Sequence, residues 1–209
     1  MNRFRVFEEN LERYEEWFEK HRFVYFSELE AVKSLIKGGK GLEVGVGTGR
    51  FAGPLGIQFG IDPAFRMLKI AKKKGIQVIR GVSEFLPFKD GIFDFVLFVT
   101  TICFVDDIKK SLQEAHRVLR DGGDIIVGFV DRESPLGKIY WKKRNESVFY
   151  KHARFYSVHE FVCYLRDAGF VDVAIRQTLF GDSLNKESRD PVIEGYGQGS
   201  FVVVRGKKK

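Results

Sequence analysis

From Lys40 onward, short apolar runs alternate with amphipathic stretches of helical period, and this alternation restricts the fold more than any other feature of the sequence. Strands that alternate with helices pair in parallel and place helices on both faces of one sheet. The run 93–99 is almost continuously apolar, as expected of a strand covered on both sides. The pattern predicts strands at 41–44, 57–61, 77–79, 93–98, 124–130, 172–178 and 200–205, and helices at 64–74, 107–119 and 157–168.

Two segments lie outside this alternation. Residues 1–37 place Phe7, Tyr14 and Phe18 at roughly helical spacing, which predicts a helical cap ahead of a domain that spans 38–209. Residues 131–156 fit neither period and combine basic with aromatic residues, so they form either a lid or a tolerated insertion after the fifth strand. The aromatic content favours a lid. The polar stretch 181–199 is expected to be a mobile loop before the last strand.

The composition is that of a globular protein, with 44% hydrophobic and 30% charged residues. The two cysteines make no disulfide framework and the N-terminus has no signal-peptide pattern, so a cytoplasmic location is expected. The longest apolar run is too short to span a bilayer, so no membrane insertion is expected. The net charge of +7 permits an anionic partner without requiring one.

A glycine-rich segment follows the first predicted strand and reads Glu43-Val-Gly45-Val-Gly47-Thr-Gly49-Arg50. Glycines at this place let the backbone turn tightly and let a ligand approach closely. The dinucleotide fingerprint GxGxxG would require glycine at position 50. Arg50 therefore counts against a nicotinamide-dependent oxidoreductase.

The same segment resembles the first motif of the class I S-adenosylmethionine-dependent methyltransferases. Further segments are similar to the ubiquinone-biosynthesis-like (methyltransferase type 11) group, in the family's order, at 60–63, 81–88, 93–100, 114–123, 155–160 and 168–170. The resemblance covers roughly residues 35–178. It implies a Rossmann-like class I methyltransferase fold: an α/β protein with a mostly parallel seven-stranded sheet, helices on both faces and the last strand antiparallel.

The resemblance also implies S-adenosyl-L-methionine as the cofactor, with S-adenosyl-L-homocysteine as its product. Asp62 follows the second strand, where an acidic side chain can accept hydrogen bonds from both ribose hydroxyls of an adenosine. The cofactor-binding residues that the motifs imply are Glu43, Gly45, Val46, Gly47, Asp62, Pro63, Met67, Ser83, Glu84, Val99 and Thr100.

The chain departs from the family pattern at three places. The spacing from Glu43 to Asp62 is short and Pro54 falls where a helix should continue, which predicts a truncated first helix. Val82 replaces an aspartate that often accepts from the adenine amine, so adenine recognition would rest on backbone near Ser83 and on apolar packing, with Met67 as a candidate. Residues 103–105 lack the histidines of relatives, so no histidine base is carried over.

No residue stands out as a general base. Tyr14, Tyr25, His152 and Tyr156 are weak candidates, and a structural role is the preferred interpretation for each, since a tyrosine at helical spacing usually packs in a core or cap. The four histidines show no metal-ligand spacing, so no metal is expected. Arg50 could tie down the glycine loop or meet the cofactor carboxylate.

The expected reaction is methyl transfer to a nitrogen, oxygen or carbon of a small molecule by in-line displacement, largely through positioning. The basic segment 131–154 keeps an RNA or protein methyltransferase open as an alternative, although nucleic acid is the less favoured partner. The missing base keeps open a module that binds the cofactor without turnover. The acceptor and the oligomeric state are not predicted.

Overall fold

The structure is a computed structural model that describes residues 4–209. Three helices open the chain: α1 (Arg5–Glu9), α2 (Leu11–Lys20) and α3 (Arg22–Lys33). The predicted helical segment is divided at Asn10 and His21, whose φ angles of -122° and -114° end one helix and begin the next. Helix α3 buries six residues and contacts the sheet.

The remaining chain alternates strands and helices. These elements are β1 (Gly41–Val44), α4 (Ala52–Leu55), β2 (Phe59–Asp62), α5 (Phe65–Lys73), β3 (Gln77–Arg80), β4 (Phe93–Val99), α6 (Ile108–Val118), β5 (Leu119–Val130), α7 (Pro135–Lys143), α8 (Val158–Asp167), β6 (Phe170–Phe180), β7 (Ile193–Glu194) and β8 (Gly199–Lys208). Most predicted boundaries agree within two residues. The largest difference is at β5, which follows α6 directly and begins five residues before the predicted strand.

All strands belong to one sheet in the order β3-β2-β1-β4-β5-β8-β6-β7. Neighbouring strands from β3 to β5 are parallel, whereas β8 runs antiparallel to β5 and β6. This confirms the predicted mostly parallel sheet with an antiparallel last strand. The eighth strand, β7, has two residues at the edge of the sheet, too few to show a period in the sequence.

Apolar side chains fill both faces of the sheet. Phe98 and Phe161 belong to the core beneath α6 and α8, and Leu97 and Phe201 belong to the core beneath the N-terminal helices. The predicted truncation of the first helix is confirmed, because α4 has four residues and ends at Gly56 in a left-handed conformation with φ 67°. Within residues 4–209, no helix is long and apolar enough to cross a membrane.

The interpretation of 131–156 as irregular was wrong, because it contains α7 and two 3-10 turns. Ser134 caps α7 by accepting a hydrogen bond from the Gly137 amide at 3.0 Å. Few residues of this short helix are buried, so its apolar period is weak. The polar stretch 181–199 lies against α3, where the Asp190 amide donates to the Ser27 hydroxyl at 2.9 Å.

Candidate active site

A cleft opens at the carboxyl ends of β1, β2 and β4, the edge at which open α/β sheets bind ligands. Its empty volume, with the open mouth included, is about 980 Å³. The lining residues are Phe4, Phe7, Tyr14, Val44, Gly45, Gly47, Ile61, Asp62, Pro63, Met67, Gly81, Val82, Ser83, Glu84, Val99, Thr100, Thr101, Phe104, Val105 and Asp106. Nine of the predicted cofactor residues are among them; Glu43 and Val46 are not.

The glycine loop after β1 forms the floor of the cleft. Gly45 has φ 74°, and a Cβ there would lie 2.3 Å from the Thr101 hydroxyl oxygen. Gly47 has φ 52°, and a Cβ there would lie 3.1 Å from the Tyr14 hydroxyl. Both positions therefore require glycine, for backbone conformation and for space.

Asp62 ends β2 and joins two backbone segments of the cleft. Its carboxylate accepts from the Gly47 amide at 2.9 Å and from the Ala64 amide at 2.8 Å. Burial raises its pKa to about 6, against these hydrogen bonds, which lower it. A carboxylate offers about four lone-pair sites, so acceptor capacity remains on the cleft side for two ribose hydroxyls. The residues here fit an adenosine.

Glu43 and Val46 lie beneath the glycine loop. Glu43 is buried and accepts from the Ala52 amide, while its Oε2 has no hydrogen-bond partner among the described residues. Burial raises the pKa of Glu43 well above its usual range. Val46 is buried against Gly60, where a Cβ would lie 2.7 Å from a Val46 methyl group. Both side chains support the loop from below.

Ser83 and Glu84 line the cleft, but most of their polar atoms are already bonded. The Ser83 hydroxyl lies 2.7 Å from that of Ser111 and donates to Glu84 at 3.0 Å. The other Glu84 oxygen accepts from the amides of Asp106 and Asp107 at 2.8 and 3.2 Å. Glu84 thus orders the loop before α6. The Gly81–Ser83 backbone and the half-exposed Val82 face the cleft here.

A second, smaller cavity shares Thr100 with the cleft and has an empty volume of about 330 Å³. Thr100 follows β4 and has φ 51°, an uncommon conformation for a residue with a branched side chain. The second cavity is lined by Thr100, Ile102, Cys103, Phe129, Val130, Tyr140, Tyr150, Arg154, Phe155 and Tyr156. They come from the loop after β4, from the end of β5 and from the segment 131–156.

The four candidate bases lie in four different places. Tyr14 lines the cleft, and Tyr156 is buried in the second cavity, where burial raises its pKa to about 12. The Tyr25 hydroxyl donates to the Arg50 carbonyl at 2.5 Å, outside both cavities. His152 lies exposed in a 3-10 turn. Burial also raises the pKa of Tyr14, which disfavours a phenolate there.

The N-terminal helices are tied to the cleft by polar contacts. Arg50 bonds Glu15 at 2.5 Å and Glu19 at 3.1 Å, and it does not line the cleft. The Thr48 hydroxyl donates to Glu15 at 2.5 Å, and Glu8 accepts from the first amide of α5. Of the two predicted roles for Arg50, the structure shows the one that ties down the loop.

Sequence reasoning missed part of the cleft lining. Phe4 and Phe7 come from the N-terminal helical segment, and Phe104 and Asp106 come from the loop after β4. The position of 101–106 directly after a central strand was a usable signal, since such loops form the ligand edge. Within residues 4–209, no group of three or more His, Cys, Asp or Glu residues could hold a metal ion.

The sequence matches a family model described as a methyltransferase domain over residues 42–127. A crystal structure from Thermotoga maritima, of a SAM-dependent methyltransferase described as a possible histamine N-methyltransferase, is 53% identical and has a TM-score of 0.97, with 99% of this chain and 100% of that chain covered. An uncharacterised protein of Methanocaldococcus jannaschii is 46% identical over 97% of this chain and 98% of its own length. A demethylmenaquinone methyltransferase of a Geobacillus strain is 30% identical over 69% of this chain and 76% of its own length.

A glycine loop after β1 and a carboxylate after β2, on a sheet of this order, define a Rossmann-like nucleoside-binding enzyme of the class I methyltransferase type. The chain belongs to the S-adenosylmethionine-dependent methyltransferases, in the ubiquinone-biosynthesis-like group. It is therefore an enzyme, and its cofactor is S-adenosylmethionine.

Proposed function

We propose that this enzyme methylates a small molecule that binds in the second cavity and reaches the cofactor cleft at Thr100. The supporting observation is the cavity itself, which adjoins the cleft and is walled mainly by aromatic and aliphatic side chains. The Thermotoga maritima protein, with its name of possible histamine N-methyltransferase, agrees with a small acceptor.

In this proposal, residues 4–37, the described part of the predicted cap 1–37, lie over the cofactor and 131–156 close the acceptor side. Bound S-adenosylmethionine supplies the activated methyl group, and the chain positions the nucleophile and excludes water. Glu43, Val46 and the remaining predicted residues hold the cofactor directly or through the glycine loop. We also infer a cytoplasmic location, which the two free cysteines support.

The ion pairs of the basic segment argue against the alternative of an RNA or protein acceptor. Glu160 bonds both Arg132 at 2.9 Å and Arg154 at 3.0 Å, so part of this charge is neutralised within the protein. A filter-binding titration with total RNA tests this alternative. Salt-dependent binding at micromolar protein would favour it over a small acceptor.

The first test is calorimetric binding of S-adenosylmethionine and S-adenosylhomocysteine to the wild type and to Asp62→Ala. Removal of the ribose contacts should cost about 2–3 kcal/mol, or roughly 30–150-fold in affinity. Asp182→Ala is the matched control, because this aspartate is exposed on a distant loop. Equal affinities for all three proteins would reject the assigned cofactor pose.

Turnover is tested with methyl-labelled cofactor and a panel of small amines, phenols and acidic carbon compounds. Transfer of label to any of them supports the small-molecule assignment. Tight cofactor binding with no transfer to the panel or to the protein would favour the alternative module that binds the cofactor without turnover.

A further inference from the structure

The outer face of α7 combines an exposed tryptophan with cations. Lys138, Trp141 and Lys142 are three and four residues apart, so they lie side by side on the helix surface. All three are exposed, and Trp141 keeps 44% of its surface accessible. On the opposite face of the helix, Leu136 is buried and Tyr140 lines the second cavity. The helix therefore packs on the protein by one face and leaves the other open.

The positive charge of the open face is not balanced by nearby carboxylates. The segment 138–151 contains five cations and one carboxylate, Glu146. Within residues 4–209, no carboxylate forms an ion pair with any lysine of this segment. By contrast, Arg132 and Arg154 outside the segment are both paired with Glu160. The unpaired lysines and the tryptophan form one basic surface, which consists of Lys138, Trp141, Lys142, Lys143 and Lys151.

Contacts with its neighbours hold the Trp141 ring in place. The Arg144 guanidinium lies 3.8 Å from the ring centroid, and Arg144 also donates a hydrogen bond to the Trp141 carbonyl at 2.9 Å. The Phe155 ring meets the tryptophan ring at nearly a right angle, with centroids 6.3 Å apart. A ring that is already held loses little further conformational freedom when it binds a partner. Trp141 is thus exposed and positioned for binding.

Cations around an exposed tryptophan fit the surface of an anionic membrane. A tryptophan ring is favoured where headgroups meet acyl chains, because its body is apolar and its N–H can donate a hydrogen bond. Lysines beside it are attracted to anionic headgroups, and their apolar stems can remain near the acyl chains. Single-stranded nucleic acids are usually bound along a groove, whereas Trp141 and the lysines line neither the cleft nor the second cavity. The observations therefore favour a lipid surface over a nucleic acid.

We propose that the basic surface binds the headgroup region of an anionic phospholipid membrane, with Trp141 at the boundary between headgroups and acyl chains. Such binding is peripheral and uses the side chains of one helix and of the turns that follow it. Because Tyr140 and Phe155 line the second cavity, it places that cavity beside the membrane. The attachment goes beyond the proposed function and does not depend on the identity of the acceptor.

The first test is co-sedimentation of the full-length wild type with vesicles of phosphatidylcholine alone and of equal parts of phosphatidylcholine and phosphatidylglycerol. We expect binding only to the anionic vesicles, with loss at high salt. The double variant Lys142→Glu, Lys143→Glu should bind at least about tenfold more weakly. The matched control Lys72→Glu, Lys73→Glu makes the same change in net charge at the exposed end of α5, and should weaken binding less than about threefold.

The second test locates the tryptophan on the bound protein. The chain has two tryptophans, so Trp17→Phe leaves Trp141 as the only one, and circular dichroism establishes that the variant is folded. On anionic vesicles its emission should shift to shorter wavelength, and lipids brominated in the acyl chain should quench it, because the ring leaves water. Trp141→Ala in the otherwise unchanged chain should weaken vesicle binding about tenfold.

Equal binding by the two double variants would show that net charge alone acts, and would overturn the inference. Failure of the wild type to bind anionic vesicles, or emission from Trp141 that stays unquenched on bound protein, would overturn it as well. Binding of total RNA that is lost in Lys142→Glu, Lys143→Glu, without binding to vesicles, would assign the basic surface to nucleic acid instead. These measurements need no cofactor, so a negative result leaves the proposed function standing.

Discussion

The two halves of the active site are built by different means. On the cofactor side, Gly45, Gly47 and Asp62 lie within one short stretch of chain and act largely through backbone conformation and backbone hydrogen bonds. On the acceptor side, Phe104 and Tyr150 stack with ring centroids 6.0 Å apart, from segments more than forty residues apart, through side chains alone. The first kind of site tolerates little change at any position, whereas the second can alter its specificity by single substitutions.

The largest predicted effect concerns the stability of the unliganded protein. Burial of Glu28 in α3 raises its folded-state pKa to about 8, above its usual value of 4.5. Folding therefore takes up a proton at Glu28 between these pH values, so the contribution of this group to stability is largest below pH 4.5 and falls as the pH rises to 8. Relative to the wild type, Glu28→Gln should gain about 1.4 kcal/mol in unfolding free energy per pH unit within this window.

The measurement is urea unfolding of both proteins at pH 5, 6 and 7. The expected change in their difference over this range is about 3 kcal/mol. Glu30→Gln removes a carboxylate from the same helix at an exposed position and controls for loss of charge. A constant difference between Glu28→Gln and the wild type would show that Glu28 is charged in the folded protein throughout this pH range.

The same contrast explains which features could be predicted from the sequence. Gly45 and Asp62 were predictable because a strand, a tight turn and a second strand place them by local rules. Glu28 offered no signal, since an acidic residue in an amphipathic helix is usually exposed. Helix α7 was missed because it is short and buries little, and the role of Arg50 depended on Glu15, which is distant in sequence. The features that could not be predicted at Glu28 and Arg50 depend on contacts with residues distant in sequence.

A smaller effect is expected on the cofactor side. Gly45→Ala must place a Cβ at φ 74° and 2.3 Å from the Thr101 hydroxyl oxygen. Strain of this kind costs about 1–3 kcal/mol, so cofactor affinity should fall by about 5–150-fold. Calorimetry with S-adenosylhomocysteine measures the loss, and circular dichroism establishes that the variant is folded.

Gly53→Ala is the matched control for that variant. It lies in α4, where a Cβ meets no atom within 4 Å, and should stabilise the protein by about 0.4–1 kcal/mol without loss of affinity. If Gly45→Ala bound the cofactor as tightly as Gly53→Ala, cofactor binding would not depend on the backbone conformation at Gly45.

The smallest effect concerns the ion pair that joins Glu15 of α2 to Arg50 after the glycine loop. Glu15 bonds Arg50 at 2.5 Å in a partly buried position, and Glu15→Gln should cost about 1 kcal/mol and speed release of S-adenosylhomocysteine about fivefold. Glu19→Gln removes the more exposed partner of the same arginine, 76% exposed and at 3.1 Å, and should change release less than twofold. Stopped-flow fluorescence measures both rates. Equal rates in the two variants would mean that aromatic contacts, and not the Glu15–Arg50 ion pair, hold α2 over the cofactor. The N-terminal helices would then depend on side-chain packing, as the acceptor side does.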